Sequence, residues 1–155
     1  MVSSILKVLK QRLLPNNGAL TAEKKVKGRK RHIVVDTMGN LLAVVVHAAN
    51  IHDTKAGINP AKQAFSKYPT IRKFCGDEGY RKTFESDALE QLGLDVDISK
   101  RIKPEFEVLP KRWIVERTFA WFNGFRRLSK DYEITASSEE VNVIIAHANV
   151  LMRRL

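Results

Sequence analysis

The sequence predicts an α/β domain, a mixed sheet with helices packed on it. Three observations carry that prediction. Two runs rich in Val, Ile and Leu flank the turn Asp36-Thr37-Met38-Gly39-Asn40 and read as an antiparallel hairpin. Short apolar segments then alternate with helical patterns: TIRKFCG, TFESDALEQL, LDVDIS. Two amphipathic helices close the chain. At 155 residues, 44% hydrophobic and 28% charged, the chain suits one folded domain with its own core.

Each element has a local reason. Ser3-Ser4 can cap a helix whose apolar residues Ile5, Leu6, Leu9 and Leu13 recur at helical spacing, and Pro15-Asn16-Asn17-Gly18 stops it. The hairpin strands are expected near 31–36 and 41–48. Asp53-Thr54 caps a helix near 54–67, delayed or kinked by Pro60. Residues 70–76 form a short buried strand, 83–92 a helix closed by Gly93, and 94–99 an alternating strand. A basic loop leads to a helix from about Arg112 to Leu128. The last helix starts at Ser137-Ser138-Glu139-Glu140, runs to about Arg153, and is expected to bury Val141, Ile144, Ile145, Ala148 and Leu151.

The net charge is +10, which makes a polyanion, nucleic acid first, the expected partner. Nine Lys/Arg against the single acid Glu23 put +8 of that charge in residues 1–32. The dense part is Lys24, Lys25, Lys27, Arg29, Lys30 and Arg31. As a solvated run it means little; as a phosphate track it binds DNA backbone without reading sequence. Arg112, Arg126, Arg127 and Lys130 extend the track. The single cysteine, Cys75, excludes an intrachain disulfide and a multi-cysteine zinc site. Lysines 7 and 10 break the N-terminal apolar run, which argues against a signal peptide, and Leu41–Val46 is too short to span a bilayer. A cytoplasmic protein with no membrane partner is expected.

Two acids stand out. Asp77 follows a buried strand, at the edge where active sites of open α/β sheets collect. Glu116 sits among aromatics on the helix that begins near Arg112, four residues after that arginine and able to pair with it. Two carboxylates about 4 Å apart repel by roughly 4 kcal/mol at an effective dielectric of about 20. A divalent cation removes that repulsion, and Mg²⁺ suits carboxylate oxygens best. Taken alone, Asp77 also reads as a turn former and Glu116 as an Arg-paired surface residue. Trp113, Phe119, Trp121 and Phe122 read as packing residues.

Four longer stretches bear on these acids: KKVKGRKRHIVVDTMGN (24–40), HAANIHDTKAG (47–57), CGDEGYR (75–81) and PKRWIVERTFAWFNGFRRLSKDYE (110–133). In this order they resemble the DDE-type transposases of bacterial insertion sequences, over about residues 23–155. The resemblance implies an RNase H-like fold. It also implies that Asp77 is the second and Glu116 the third acid of an Asp-Asp-Glu triad holding two Mg²⁺, or Mn²⁺, ions. Its implied partners are transposon-end and target DNA, with a second copy or an intact transposase beside them. An Arg-x-x-x-Glu signature of related transposases is matched by Arg112 and Glu116, whereas Leu109 and Asn123 replace its tyrosine and lysine.

The first acid of the triad belongs on the first strand, before the basic stretch. Residues 1–23 hold no Asp, and Val2 stands where a weak alignment puts it. The reading is therefore a partial catalytic domain over 23–155, its sheet incomplete at the first strand, behind a divergent basic segment 1–22. A truncated or frameshifted product is expected. Asp36 and Asp53 read as turn and cap residues rather than substitutes. Losing one ligand of a two-metal site costs about 4 kcal/mol or more, roughly a thousandfold in rate. The expected function is that of an insertion-sequence transposase's catalytic portion, weakly active or inactive alone. The alternatives are a DNA-binding remnant that regulates an intact transposase, and a basic RNA-binding protein.

Overall fold

The structure is a computed structural model that describes residues 5–12, 28–76, 80–98 and 112–154, with backbone alone for 5–12, Thr54 and Arg112. Five strands form one sheet in the order β3-β2-β1-β4-β5: β1 Ile5–Arg12, β2 Arg29–Val35, β3 Leu41–Ala48, β4 Lys73–Gly76 and β5 Asp95–Ile98. β1 runs antiparallel to β2 and parallel to β4, and β4 is parallel to β5. Helices cover both faces: α1 Asp53–Ala56, α2 Ile58–Lys67 and α3 Thr83–Leu92 on one, α4 Arg112–Asn123 and α5 Ala136–Met152 on the other.

Alternation along the strands divides the core. Val34 and Ala43 face α2 and α3, with Phe74, Tyr80 and Phe84. Ile33, Val35, Val44 and Val46 face α4 and α5, with Val115, Phe119, Phe122 and Val143. The hairpin turn is closed by Asp36, whose carboxylate accepts from the backbone N–H of Met38 and Asn40 and from the Asn40 amide, each at 2.8 Å. Gly39 takes the positive φ of 85° that this turn requires.

Three expectations are corrected. Residues 5–12 form a strand, not a helix. β1 pairs with β2 on one side and β4 on the other, so the sheet has a first strand and part of segment 1–22 belongs to it. Pairing with β2 along residues 7–12 and with β4 along residues 5–8 overrides a helical spacing this short. The helix near 54–67 is split at Gly57 rather than at Pro60, which sits in the first turn of α2 where its missing N–H costs nothing. α5 is turned the other way. It buries Glu139, Val143, Ala146 and His147, while Val141, Ile144, Ile145, Ala148 and Leu151 lie exposed.

The remaining elements follow the sequence closely. α3 ends at Gly93 in the left-handed conformation, φ 65°. Thr135 caps α5, its hydroxyl accepting from the Ser138 N–H at 3.1 Å. The long helix from Arg112 ends at Asn123, and a short 3-10 turn covers Arg126–Leu128.

Candidate active site

Glu116 lies on the exposed face of α4, and α4 packs over β1, the strand beside β4. β4 ends at Gly76, one residue before Asp77. Asp77 itself and the side chain of Arg112 lie outside the described residues. Lys24, Lys25 and Lys27 do too.

Two flanking residues hold the β4 end. A Cβ on Gly76 would meet Ile98 Cδ1 at 3.2 Å and Tyr80 Cβ at 3.4 Å. Tyr80 is buried; its hydroxyl and His32 Nδ1 share a hydrogen bond of 2.7 Å, and its ring meets Phe84 edge to face. The same ring lies against Gly57, where any Cβ would come within 2.6 Å of Cε1. Tyr80 is thus seated in the notch between α1 and α2. His32 in turn stacks on His47, ring centroids 4.7 Å apart.

β1 carries no Asp or Glu. β1 reads ILKVLKQR, and its backbone register sets Val8 beside Gly76 and Lys7 beside Cys75. Asp36 is held in its turn. Asp53, at the start of α1, accepts from Lys30 Nζ at 2.8 Å, and Lys30 also donates to the Ile51 carbonyl. Among the described residues no three His, Cys, Asp or Glu side chains cluster as a metal site. Of the expected pair Asp77 and Glu116, Glu116 alone falls among the described residues.

The basic stretch divides on its geometry. Arg31 has no exposed surface. It donates to the Leu128 carbonyl at 2.9 Å and pairs with Glu139, also fully buried. Burial raises the Glu139 carboxyl above its ordinary range, and Arg31 pulls it back. Arg29 donates to the Ile134 carbonyl at 2.7 Å and lies 3.3 Å from Asp131. A phosphate reaches none of Arg29, Lys30 and Arg31 without displacing an internal partner. Arg126 and Lys130 are exposed, and Arg127 is exposed with Glu133 at 3.1 Å.

One feature of α4 escaped the sequence reading. The Arg117 guanidinium lies between Trp113 and Trp121, 4.4 and 4.8 Å from the ring centroids, and Arg154 covers Trp121 at 4.7 Å. Arg117 also donates to the Met38 carbonyl at 2.8 Å, tying α4 to the hairpin turn. The Trp-x-x-x-Arg-x-x-x-Trp spacing is its sequence signal, because residues four apart share a helix face. Trp113, read as a packing residue, is 44% exposed.

Residues 14–151 match the transposase DDE domain family. The chain belongs to that family. It is 32% identical over 131 residues to a protein of Burkholderia cepacia described as a transposase for the insertion sequence element IS402. The match takes in 77% of this chain and 60% of that relative, so the chain spans about three fifths of the relative's length. Among solved structures, the intasome of simian T-cell lymphotropic virus in complex with the PP2A regulatory subunit B56 gamma is similar, with a TM-score of 0.61 at 13% identity. That match covers 95% of this chain and 48% of that one. The HTLV-2 integrase catalytic core, in its dimeric form in complex with magnesium, matches with a TM-score of 0.59 at 12% identity, over 95% of this chain and 85% of that one. The BIV integrase core gives 0.58 at 12% identity, over 94% and 81%. These likenesses establish an RNase H-like fold for the transposase chain. Among the described residues no helix is long and apolar enough to cross a membrane.

Proposed function

We propose that this chain is the catalytic portion of an insertion-sequence transposase that engages DNA and has little or no strand-cleaving activity alone. The observation that carries the reading is the acid-free β1. The fold supplies a first strand beside β4, and its residues ILKVLKQR include no carboxylate. Asp77 and Glu116 remain as the carboxylates able to hold a divalent ion, Mg²⁺ or Mn²⁺. A bound divalent ion would lower the negative charge at a phosphate. Two ligands favour weak binding of one ion, and no displacement at phosphorus follows from this set. The cytoplasm, where chromosomal DNA lies, is the fitting compartment.

DNA engagement rests on the +10 charge and on cations that remain outward: Arg126, Arg127 and Lys130, with Lys24, Lys25, Lys27 and Arg112 proposed beside them. A salt titration of duplex binding, read by fluorescence anisotropy, tests this. The affinity falls with salt by about 0.9 logarithmic units per decade for each phosphate neutralised. Alanine at Lys24, Lys25 and Lys27 together flattens the slope. An unchanged slope and affinity would remove the DNA-binding assignment.

A second reading also draws on the acid-free β1. The chain could act on an intact transposase as a non-enzymatic regulator. Co-expression with an intact transposase of the same element would then lower transposition frequency, and Glu116→Ala would leave that effect untouched.

A further inference from the structure

The connection between the 3-10 turn and α5 turns its acids inward and its apolar residues outward. Along Asp131-Tyr132-Glu133-Ile134, Asp131 is buried and Glu133 half-buried, whereas Tyr132 is 41% and Ile134 93% exposed. Surface chain ordinarily does the reverse. Arginines draw the two acids in: Asp131 lies 3.3 Å from Arg29, and Glu133 lies 3.1 Å from Arg127. The backbone of Ile134 is itself pinned, its carbonyl accepting from Arg29 at 2.7 Å, and the next residue, Thr135, caps α5. A β-branched side chain on a fastened backbone has few rotamers to lose, so ordering it against a partner costs little.

We propose that Ile134 is an apolar wedge that enters the base stack of DNA bound at this end of the sheet. The inference rests on the DNA-binding reading and adds to it a contact with bases. Charge selects DNA as the occupant. With both acids paired inward, the exposed charged side chains of residues 126–135 are Arg126, Arg127 and Lys130, so a phosphate meets cations on its way to Ile134. Location agrees with this. Arg29, which holds Ile134, opens β2. The pairings of Arg12 with Lys30 and of Val8 with Gly76 put that opening at the end of the sheet where β4 closes, one residue before Asp77. Cations that grip the backbone beside a stiff apolar side chain that parts a base step are the parts of a wedge-type DNA contact. Parting a step costs least at flexible pyrimidine–purine steps and most in stiff A-tracts. Ile134 thereby gives the chain a preference for deformable DNA without a hydrogen bond to any base edge.

Two short duplexes test the wedge, one with a central TA step and one with an A-tract in its place, each carrying 2-aminopurine at the centre. The full chain should bind the TA duplex about threefold or more tighter and raise its 2-aminopurine emission, because unstacking relieves quenching. Ile134→Ala should lose both effects. It should keep the wild-type unfolding midpoint, because the side chain is exposed, and the wild-type salt slope, because an apolar contact releases no counterion. Ile134→Leu should retain the preference and the emission change. Emission that stays at the free-duplex level while the wild type binds, or that rises equally with Ile134→Ala, would overturn the wedge and leave DNA binding standing. A wild type that binds neither duplex would overturn both.

Discussion

Arg31 on β2 and Glu139 on α5 form an ion pair with no exposed surface on either side chain. The pair fastens the last helix to the strand next to β1. A buried pair need not stabilise a fold relative to apolar residues, but breaking it leaves a charge stranded in the core. Glu139→Ala is therefore expected to cost about 3–5 kcal/mol in urea unfolding. The double variant Arg31→Met/Glu139→Leu should lose much less than the single one. A double variant no better than Glu139→Ala would show that the charges themselves are required.

His147 gives the fold an acid sensitivity. Its Nε2 accepts from the Leu41 N–H at 2.9 Å, so the buried ring is neutral. Burial lowers its pKa first, Arg154 lowers it further, and Asp36 opposes them. The unfolded chain therefore binds this proton at higher pH than the folded chain does. Its stability contribution is present above the ordinary histidine value of about 6.5 and is lost as pH falls below it. His147→Gln, which can still accept from Leu41, should flatten the fall in unfolding midpoint below about pH 6.5. Equal pH dependence in both proteins would refute the assignment.

Gly57 and Tyr80 pack closely where α1 meets α2. Gly57→Ala drives a methyl to 2.6 Å from the Tyr80 ring and should cost about 1–3 kcal/mol. Tyr80→Phe deprives buried His32 of its 2.7 Å partner and should cost about 1–2 kcal/mol. Thermal unfolding checks both. Wild-type stability in Gly57→Ala would mean that the ring is not seated in the α1–α2 notch.

The basic residues should separate into two classes. Arg126→Ala/Lys130→Ala should weaken DNA binding at low salt and reduce the salt slope by about two, with stability unchanged. Arg29→Ala/Lys30→Ala should chiefly destabilise the fold, because both cations hold internal partners. The reverse pattern in anisotropy and urea titrations would move the DNA track onto β2.

Much of the fold was legible. The hairpin, α3 with its Gly93 stop and the start of α4 follow from residue period and capping chemistry, which act over a few positions. β1 was not, because ILKVLKQR satisfies helical spacing and its pairing with β2 and β4 is long-range. The buried side of α5 was misread for a related reason. That helix is apolar nearly all round, and two polar anchors choose the inward face: Glu139 meeting Arg31 and His147 meeting Leu41. Arg29, Lys30 and Arg31 read as one charge run because Asp131, Asp53 and Glu139 lie far along the chain. The absence of Asp and Glu from ILKVLKQR, by contrast, is read directly from the sequence, whatever its conformation.

A Mg²⁺-dependent nicking assay on supercoiled DNA, with Asp77→Ala and Glu116→Ala as controls, bears most directly on the claim that this transposase chain binds DNA without cutting it efficiently. The expected result is salt-sensitive binding with nicking near background in all three proteins. Robust nicking by the wild type, abolished in both variants, would show that two carboxylates suffice and that the acid-free β1 does not disable the site.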